Sequence, residues 1–424
     1  MPWTRFSQAA DGRARPVALL GLSQTLSWGS SFYLPAVLAH PMATDLDLAP
    51  PMVYLAFSAA LVVSAAVGPA AGRAIDRLGG RPVLMGGNLV FALGLLLLAM
   101  AQGPWGLFAA WAVLGLAMGG GLYEAAFATL VRLYGQAARN PITGITLIAG
   151  FASTVGWPLS AWMLGDHGWR GACLGWAALH LLVGLPLNAL LPRAGPVAPA
   201  PAPPAAAAAA ATTAHESKAA AAPPTPVQPA AATSQRALVV LLSLFFAVSM
   251  FIGTAWATHL PQLLQSVGAT LAVAIGVGAL VGPAQVAGRV LEFSFLRRVH
   301  PLLSARLSSL AHPLGIVALL LLGAPAAALF TVLHGAGNGI LTIAKGTLPL
   351  VLFGAQGYGA RQGWLMMPAR VAQASAPFVF GLALDRWGGG ALWLSGALGL
   401  VAFAALLAIR LRHDPSTDAQ PPTR

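Results

Sequence analysis

Apolar stretches of about 20 residues, the helix length that crosses a hydrocarbon core, recur from one end of this 424-residue chain to the other. Twelve can be read: Val17–Ala39, Met52–Gly72, Pro82–Gln102, Trp105–Leu130, Ile142–Gly165, Gly171–Leu191, Ala237–Leu260, Leu271–Leu291, Leu302–Leu322, Ala326–Phe353, Trp364–Leu384 and Leu392–Ile409. Lipid offers no partner to a free backbone N–H or C=O, so such stretches must be helices, and an all-α integral membrane fold follows. Internal prolines (Pro35, Pro158, Pro283, Pro313, Pro377) are tolerated in membrane helices more readily than in soluble ones. With 57% apolar and 8% charged residues, the chain cannot clothe a water-soluble surface, which needs about 25% charged residues. The single cysteine, Cys173, excludes an internal disulfide framework and a thiolate metal cluster. The first span is too long for a cleaved signal and more spans follow it, so it is expected to stay.

The longest polar break, Pro192 to Gln235, is Ala/Pro low complexity and reads as a flexible linker. The chain then divides into a tail (1–16), six spans (17–191), a linker (192–236), six more spans (237–410) and a second tail (411–424). The halves are repeats of one another. Gly72, Arg73, Asp76 and Arg81 align with Gly288, Arg289, Glu292 and Arg297 at one constant offset, and Gly135, Pro158 and Asp166 align with Gly354, Pro377 and Asp385 at another three residues longer. Two pseudo-symmetric six-helix bundles are expected.

Cytoplasmic loops are enriched in Lys and Arg. With both termini inside, the outside loops hold only Arg170 and Arg386, beside Asp45, Asp47, Asp166 and Asp385, and nearly every other arginine falls inside. A multi-pass protein of a bacterial-type inner membrane, both termini cytoplasmic, accounts for this. The net charge of +12 is thereby explained as topology signals spread over many loops. A nucleic-acid surface would concentrate it in one stripe with interleaved aromatics.

The loop after the second span reads Gly72-Arg73-Ala74-Ile75-Asp76-Arg77-Leu78-Gly79-Gly80-Arg81, a complete G-x-x-x-D-R-x-G-x-R. Here the sequence resembles the major facilitator superfamily, whose signature occupies that loop, and twelve spans with a long central loop agree. The resemblance implies two bundles around a central cavity that faces the two sides alternately. In related folds substrate sites lie near the midplane between such repeats. It also implies a cytoplasmic gate of Gly72, Asp76, Arg77, Gly79 and Arg81. Physically, Asp76 is an acid among Arg73, Arg77 and Arg81 at a helix end, and Gly79 and Gly80 permit a tight turn. The bland alternative is that these arginines only set topology. The second copy keeps Glu292 and Arg297 but has Phe293 and Phe295 in place of Arg77 and Gly79, so a weaker latch is expected there.

Ionisable residues inside spans are costly and are functional candidates by default. Glu124, Lys345 and Arg370 are the clear cases. Span ten also carries His334, Asn338 and Thr342, which share a helical face with Lys345, while span one offers Gln24 and Trp28 and span seven Trp256. Two readings stand side by side. In one, Lys345 and Arg370 attract an anion, with His334, Asn338, Gln24, Trp28 and Trp256 lining its site, and Glu124 takes up a proton. In the other, Glu124 pairs with Lys345 as structural neutralisation. His40, His259 and His312 read as structural, and Trp169 as an interfacial anchor in an external turn.

These features predict a secondary transporter, working by alternating access and coupled to protons, for a small organic anion. Two intramembrane cations against one acid argue against a pump for organic cations. The alternative is a drug or metalloid efflux pump of the same superfamily. Ser27-Trp28-Gly29 and the basic residues of the second half resemble monocarboxylate-transporter-like branches. Those carry an acid four residues before an arginine in span eight, where this chain has Gln285 and Arg289. An enzyme is not expected: there is no H-E-x-x-H, no G-x-S-x-G and no pair of mid-span acids. No cofactor or metal is expected, and the partners foreseen are the bilayer, the substrate and the proton, with the chain acting as a monomer.

Overall fold

The computed structural model describes residues 3–193 and 233–410, with side chains from 14 onward apart from positions 50, 153, 271, 272, 275 and 297. Most of the linker and the C-terminal tail therefore lie outside the described residues. What is described is helical throughout, an all-α multi-pass membrane fold. Seven of its helical stretches are long and apolar enough to cross a membrane, the longest running over Gly103–Ala189 and Tyr358–Leu407.

Hydropathy locates these stretches but not the breaks inside them. Helix α1, Trp3–Gly29, begins well before Val17, and a separate helix α2, Pro35–Asp45, opens on Pro35. Proline suits that first position, where its missing N–H has no partner to lose. Span one is therefore two helices, and Pro35 starts a helix where it was expected to lie inside one. Helices α3 (Pro50–Leu78) and α4 (Gly80–Ala99) meet at Gly79, whose φ of 82° only glycine adopts without strain. The expected fourth span is broken at Leu122, between α5 (Gly103–Gly121) and α6 (Tyr123–Tyr134). Helices α7 (Arg139–Ile148) and α8 (Ala152–Leu179) follow. Gly168, with φ of 69°, turns the chain inside α8, and α9 is Leu185–Ala189. Trp169 is 5% exposed, packed into the core instead of anchoring at an interface.

The second half holds α10 (Gln235–Ser266), α11 (Leu271–Gly278), α12 (Val281–Ser294), α13 (Pro301–Leu322), α14 (Ala327–Phe353), α15 (Tyr358–Trp387) and α16 (Ala391–Leu407). The expected eighth span is thus also broken, between α11 and α12. One apolar core lies wholly within this half, from Leu242 to Ile409. Another lies within the first half, from Leu34 to Ala177. A third joins the halves, bringing Leu20, Phe127 and Ile142 together with Leu350 and Tyr358. Along this seam glycines allow the closest approaches. A Cβ on Gly72 of α3 would collide with the Gly359 backbone of α15, and one on Gly346 of α14 would approach Phe127 to 2.8 Å. Glycine at these positions lets backbones touch, as in other membrane helix pairs.

Candidate functional site

At one end of the seam, Asp76 does not pair with the arginines around it. Arg73 and Arg77 are exposed, and Arg81 lines a shallow pocket with Arg193. The carboxylate instead accepts two hydrogen bonds, from Gly359 N–H to Oδ1 and Ala360 N–H to Oδ2, each 2.9 Å. These are free N–H groups in the first turn of α15, where helix geometry leaves them unpaired and the dipole favours an anion. The gate expected from an acid among arginines is therefore an acid on a helix end. The contact of Gly72 with Gly359 is what brings Asp76 within reach.

The second copy is wired differently. Glu292 Oε1 meets Arg139 Nη2 at 3.4 Å, and the same guanidinium donates to Val299 O at 3.1 Å and Leu296 O at 3.3 Å. Glu292 Oε2 is buried without a hydrogen-bond partner. In the repeat register Ala360 corresponds to Pro141 on α7, and proline has no N–H to give. The side chain of Arg297 lies outside the described residues.

Midway along the seam, the break at Leu122 puts Glu124 in the first turn of α6. The break frees backbone carbonyls, and Gln24 Nε2 donates to one, Gly121 O, at 2.7 Å. Gln24 is fully buried; its amide nitrogen holds this turn, while its Oε1 has no hydrogen-bond partner. Glu124 then faces Arg370, whose Nη2 donates to both carboxylate oxygens at 3.0 and 2.9 Å, while Nη1 donates to Gln373 Oε1 at 3.1 Å. The expected Glu124–Lys345 pair is not formed. Lys345 Nζ instead lies 3.0 Å from Met250 Sδ, a weak acceptor.

A third cation joins them. Arg289, within the expected eighth span and now on α12, is 5% exposed and presses against Gly150 of the first half. Its Nε and Nη1 are buried without hydrogen-bond partners. The signal that could have found it is its place inside the eighth span, four residues after Gln285; its counterpart in the repeat, Arg73, is exposed and points the other way. An aromatic wall stands beside this junction: Trp28 packs on Tyr123 at 4.9 Å and on Phe32 at 5.2 Å, and Tyr33 meets Trp157 at 5.9 Å.

The remaining expected residues gather elsewhere. The polar face of α14 lies along α10, with Lys345 at Met250, Asn338 near Gly253 and His334 beside Trp256. Trp256 and His334 belong to a buried cluster with His312 and Ser395 inside the second half. His312 is thus not the isolated structural residue it had seemed from sequence. Asn338 and His334 line a small cavity there.

The chain is an all-helical membrane protein whose halves meet along a seam that carries the Glu124–Arg370 pair. The family profile described as Major Facilitator Superfamily matches residues 19–344, and the chain belongs to that superfamily. A multidrug resistance protein B homolog of Mycobacterium tuberculosis is 36% identical over 143 residues, 32% of this chain and 26% of that protein. The chain thus spans about a quarter of the length of the curated relatives it matches. Among solved structures, the human organic anion transporter TETRAN superposes with a TM-score of 0.69 at 17% identity, covering 93% of this chain and 99% of that one. The fucose:proton symporter of E. coli gives 0.69 at 14%, covering 93% and 98%. The proton:xylose symporter XylE gives 0.67 at 14%, covering 93% and 94%. At such identities the likeness speaks for the fold.

Proposed function

We propose that this transporter moves a small organic anion together with a proton through a site at the seam formed by Arg289, Lys345, Arg370 and Glu124, with Trp28 in its wall. The observation that carries the reading is charge: Arg370 alone holds Glu124, Lys345 Nζ meets Met250 Sδ, and buried Arg289 has Nε and Nη1 without a hydrogen-bond partner. Unpaired buried charge is costly, so an anion arriving there replaces a missing partner. Coupling follows from the Glu124–Arg370 pair. A proton on Glu124 removes its negative charge and releases Arg370 to a substrate carboxylate, so proton and anion load together. Gln285 stands where an acid would otherwise serve this purpose, which leaves the role to Glu124. Small monocarboxylates are the first anions to test.

In this reading the chain crosses the membrane twelve times as two six-helix bundles (17–191 and 237–410) joined by the 192–236 linker. Both termini, tails 1–16 and 411–424 included, lie on the cytoplasmic side of a bacterial-type inner membrane, and the working unit is a monomer. The seam residues Gly72, Asp76, Arg77, Gly79, Arg81, Glu292 and Arg297 form the cytoplasmic gate. With Asp76 and Glu292 both engaged, the arrangement described here is closed on that side.

Uptake of labelled monocarboxylates into liposomes under an imposed pH gradient tests the reading. Flux that follows the gradient, falls more than tenfold in Lys345→Ala and Arg289→Gln, and is largely restored in Lys345→Arg is the expected result. A second reading, drug efflux, is favoured by the Mycobacterium tuberculosis relative and by the aromatic wall. Robust flux of cationic dyes with no anion flux establishes it and removes the first.

A further inference from the structure

The seam does not use the polar cluster buried inside the second half. His312 of α13 and His334 of α14 face each other, Nδ1 to Nδ1, at 3.0 Å. His312 Nε2 lies 2.9 Å from Ser395 Oγ of α16, and Trp256 Nε1 of α10 donates to that oxygen at 2.7 Å. Indole N–H only donates, so Ser395 accepts from Trp256 and keeps its own O–H. Between two facing Nδ1 atoms one must carry hydrogen and the other must not. The neutral cluster therefore has two arrangements. Ser395 O–H donates to His312, which donates to His334, or both steps run in reverse. One added proton fits without moving a heavy atom: cationic His312 donates from both nitrogens, to Ser395 Oγ and to His334 Nδ1. A second proton would set N–H against N–H. The geometry has room for one.

The cluster is also reachable. His312 and His334 border a cavity of about 30 Å³, lined further by Ser249, Ser309 and Asn338. That is space for one or two waters among polar partners. From it the polar face of α14 continues through Asn338 and Thr342 to Lys345 at the seam. By contrast His180, in the first half, is fully buried, stacked on Phe91 at 4.7 Å and held by Asn88 and Ser30. The charged or titratable groups on the helices around the pair are Lys345 on α14, Arg306 on α13, which is committed to α16 carbonyls, Arg236 and His259 on α10, the latter bonded to Pro377 O at 2.9 Å, and Arg289 and Glu292 on α12, with Glu292 paired to Arg139. No acid lines the cavity, so a proton on the pair adds net positive charge, and a seam anion offsets it.

We propose that the His312–His334 pair is a second proton-binding site of capacity one, loaded from cavity water when an anion occupies the seam. Its role in transport rests on the anion reading above. Its existence as a proton site does not. The proton leaves hydronium in the cavity, forms one N–H bond on the imidazole pair and leaves water behind. By linkage, the anion that favours this proton is favoured by it equally.

Nitrogen-15 histidine NMR of the full chain in nanodiscs, titrated from pH 8 to pH 4 without substrate and with lactate, tests the site directly. The expected result is one proton shared by His312 and His334, at higher pH with lactate, while His180 stays neutral. His334→Gln removes the shared titration. Two independent titrations, or no proton on either ring by pH 4, overturn the site. In liposomes, His312→Gln is expected to lose at least tenfold in gradient-driven accumulation while anion exchange stays within threefold of the parent. Unchanged accumulation overturns the coupling role. If the parent moves no anion at all, the anion reading fails and the NMR result alone decides the proton site.

Discussion

The two matching loop sequences hold the halves of the molecule together by different chemistry. Asp76 binds two backbone N–H groups at 2.9 Å each. Glu292 meets one guanidinium at 3.4 Å and leaves an oxygen unpaired. The difference lies in the receiving helix as much as in the acid. Helix α15 opens Tyr358-Gly359-Ala360, whereas α7 opens Arg139-Asn140-Pro141. The first offers a bare backbone and two donors. The second loses a donor to proline and supplies a long side chain instead. Side chains lose rotamer entropy when fixed and backbone groups already in a helix do not, so the first latch is the stiffer. Sequence comparison of the motif loops alone would miss this, because the deciding residues sit elsewhere.

Substitutions can break this contrast or sharpen it. The largest effect is expected from Asp76→Ala. Hydrogen bonds to a charged group contribute about 1.5–3 kcal/mol each, and two are lost, so the closed gate should fall in population by at least tenfold. Distances between spin labels on the cytoplasmic ends of α3 and α15 read this out. An unchanged distance distribution would show that glycine packing alone shuts the gate. Glu292→Gln should cost less, about 1 kcal/mol or below, since Arg139 remains bound to two carbonyls and is partly open to solvent screening. An effect equal to that of Asp76→Ala would mean the two latches are equivalent after all.

The smallest effect belongs to an ion pair within one half. Arg170 bonds Asp45 and also donates to Ala101 O at 2.9 Å. The Arg170 guanidinium holds the exposed Asp45 carboxyl below the usual carboxylate range. A lowered carboxyl contributes stability above its ordinary pKa and loses it as pH falls through the lowered value. The melting temperature of Asp45→Asn should therefore sit at most about 2 °C below that of the parent at neutral pH. The gap should close in acid, and transport should be unaffected.

Much of the architecture was legible from residues alone because crossing a bilayer demands a composition that nothing else does. Breaks within the crossings were not. Leu122 is as apolar as its neighbours, so hydropathy leaves the break there unmarked. The charged residues at mid-depth were visible, but their partners were not, because Glu124 and Arg370 stand 246 residues apart in sequence and no local pattern chooses Arg370 over Lys345. Arg289 was hidden by its position in a repeat whose other copy is a surface arginine. The α14 stripe was read correctly as one face, but a shared face does not reveal that its two ends serve different neighbourhoods.

The hydrogen bond from Gln24 to Gly121 gives the first helix a hold on the acid it never touches. Wherever α1 shifts during a transport cycle, the turn that carries Glu124 must either follow or surrender that bond. Any shift of α1 is thereby geared mechanically to the first turn of α6, where Glu124 sits. Shortening the amide by one carbon, as in Gln24→Asn, would slip the gear while leaving both helices in place.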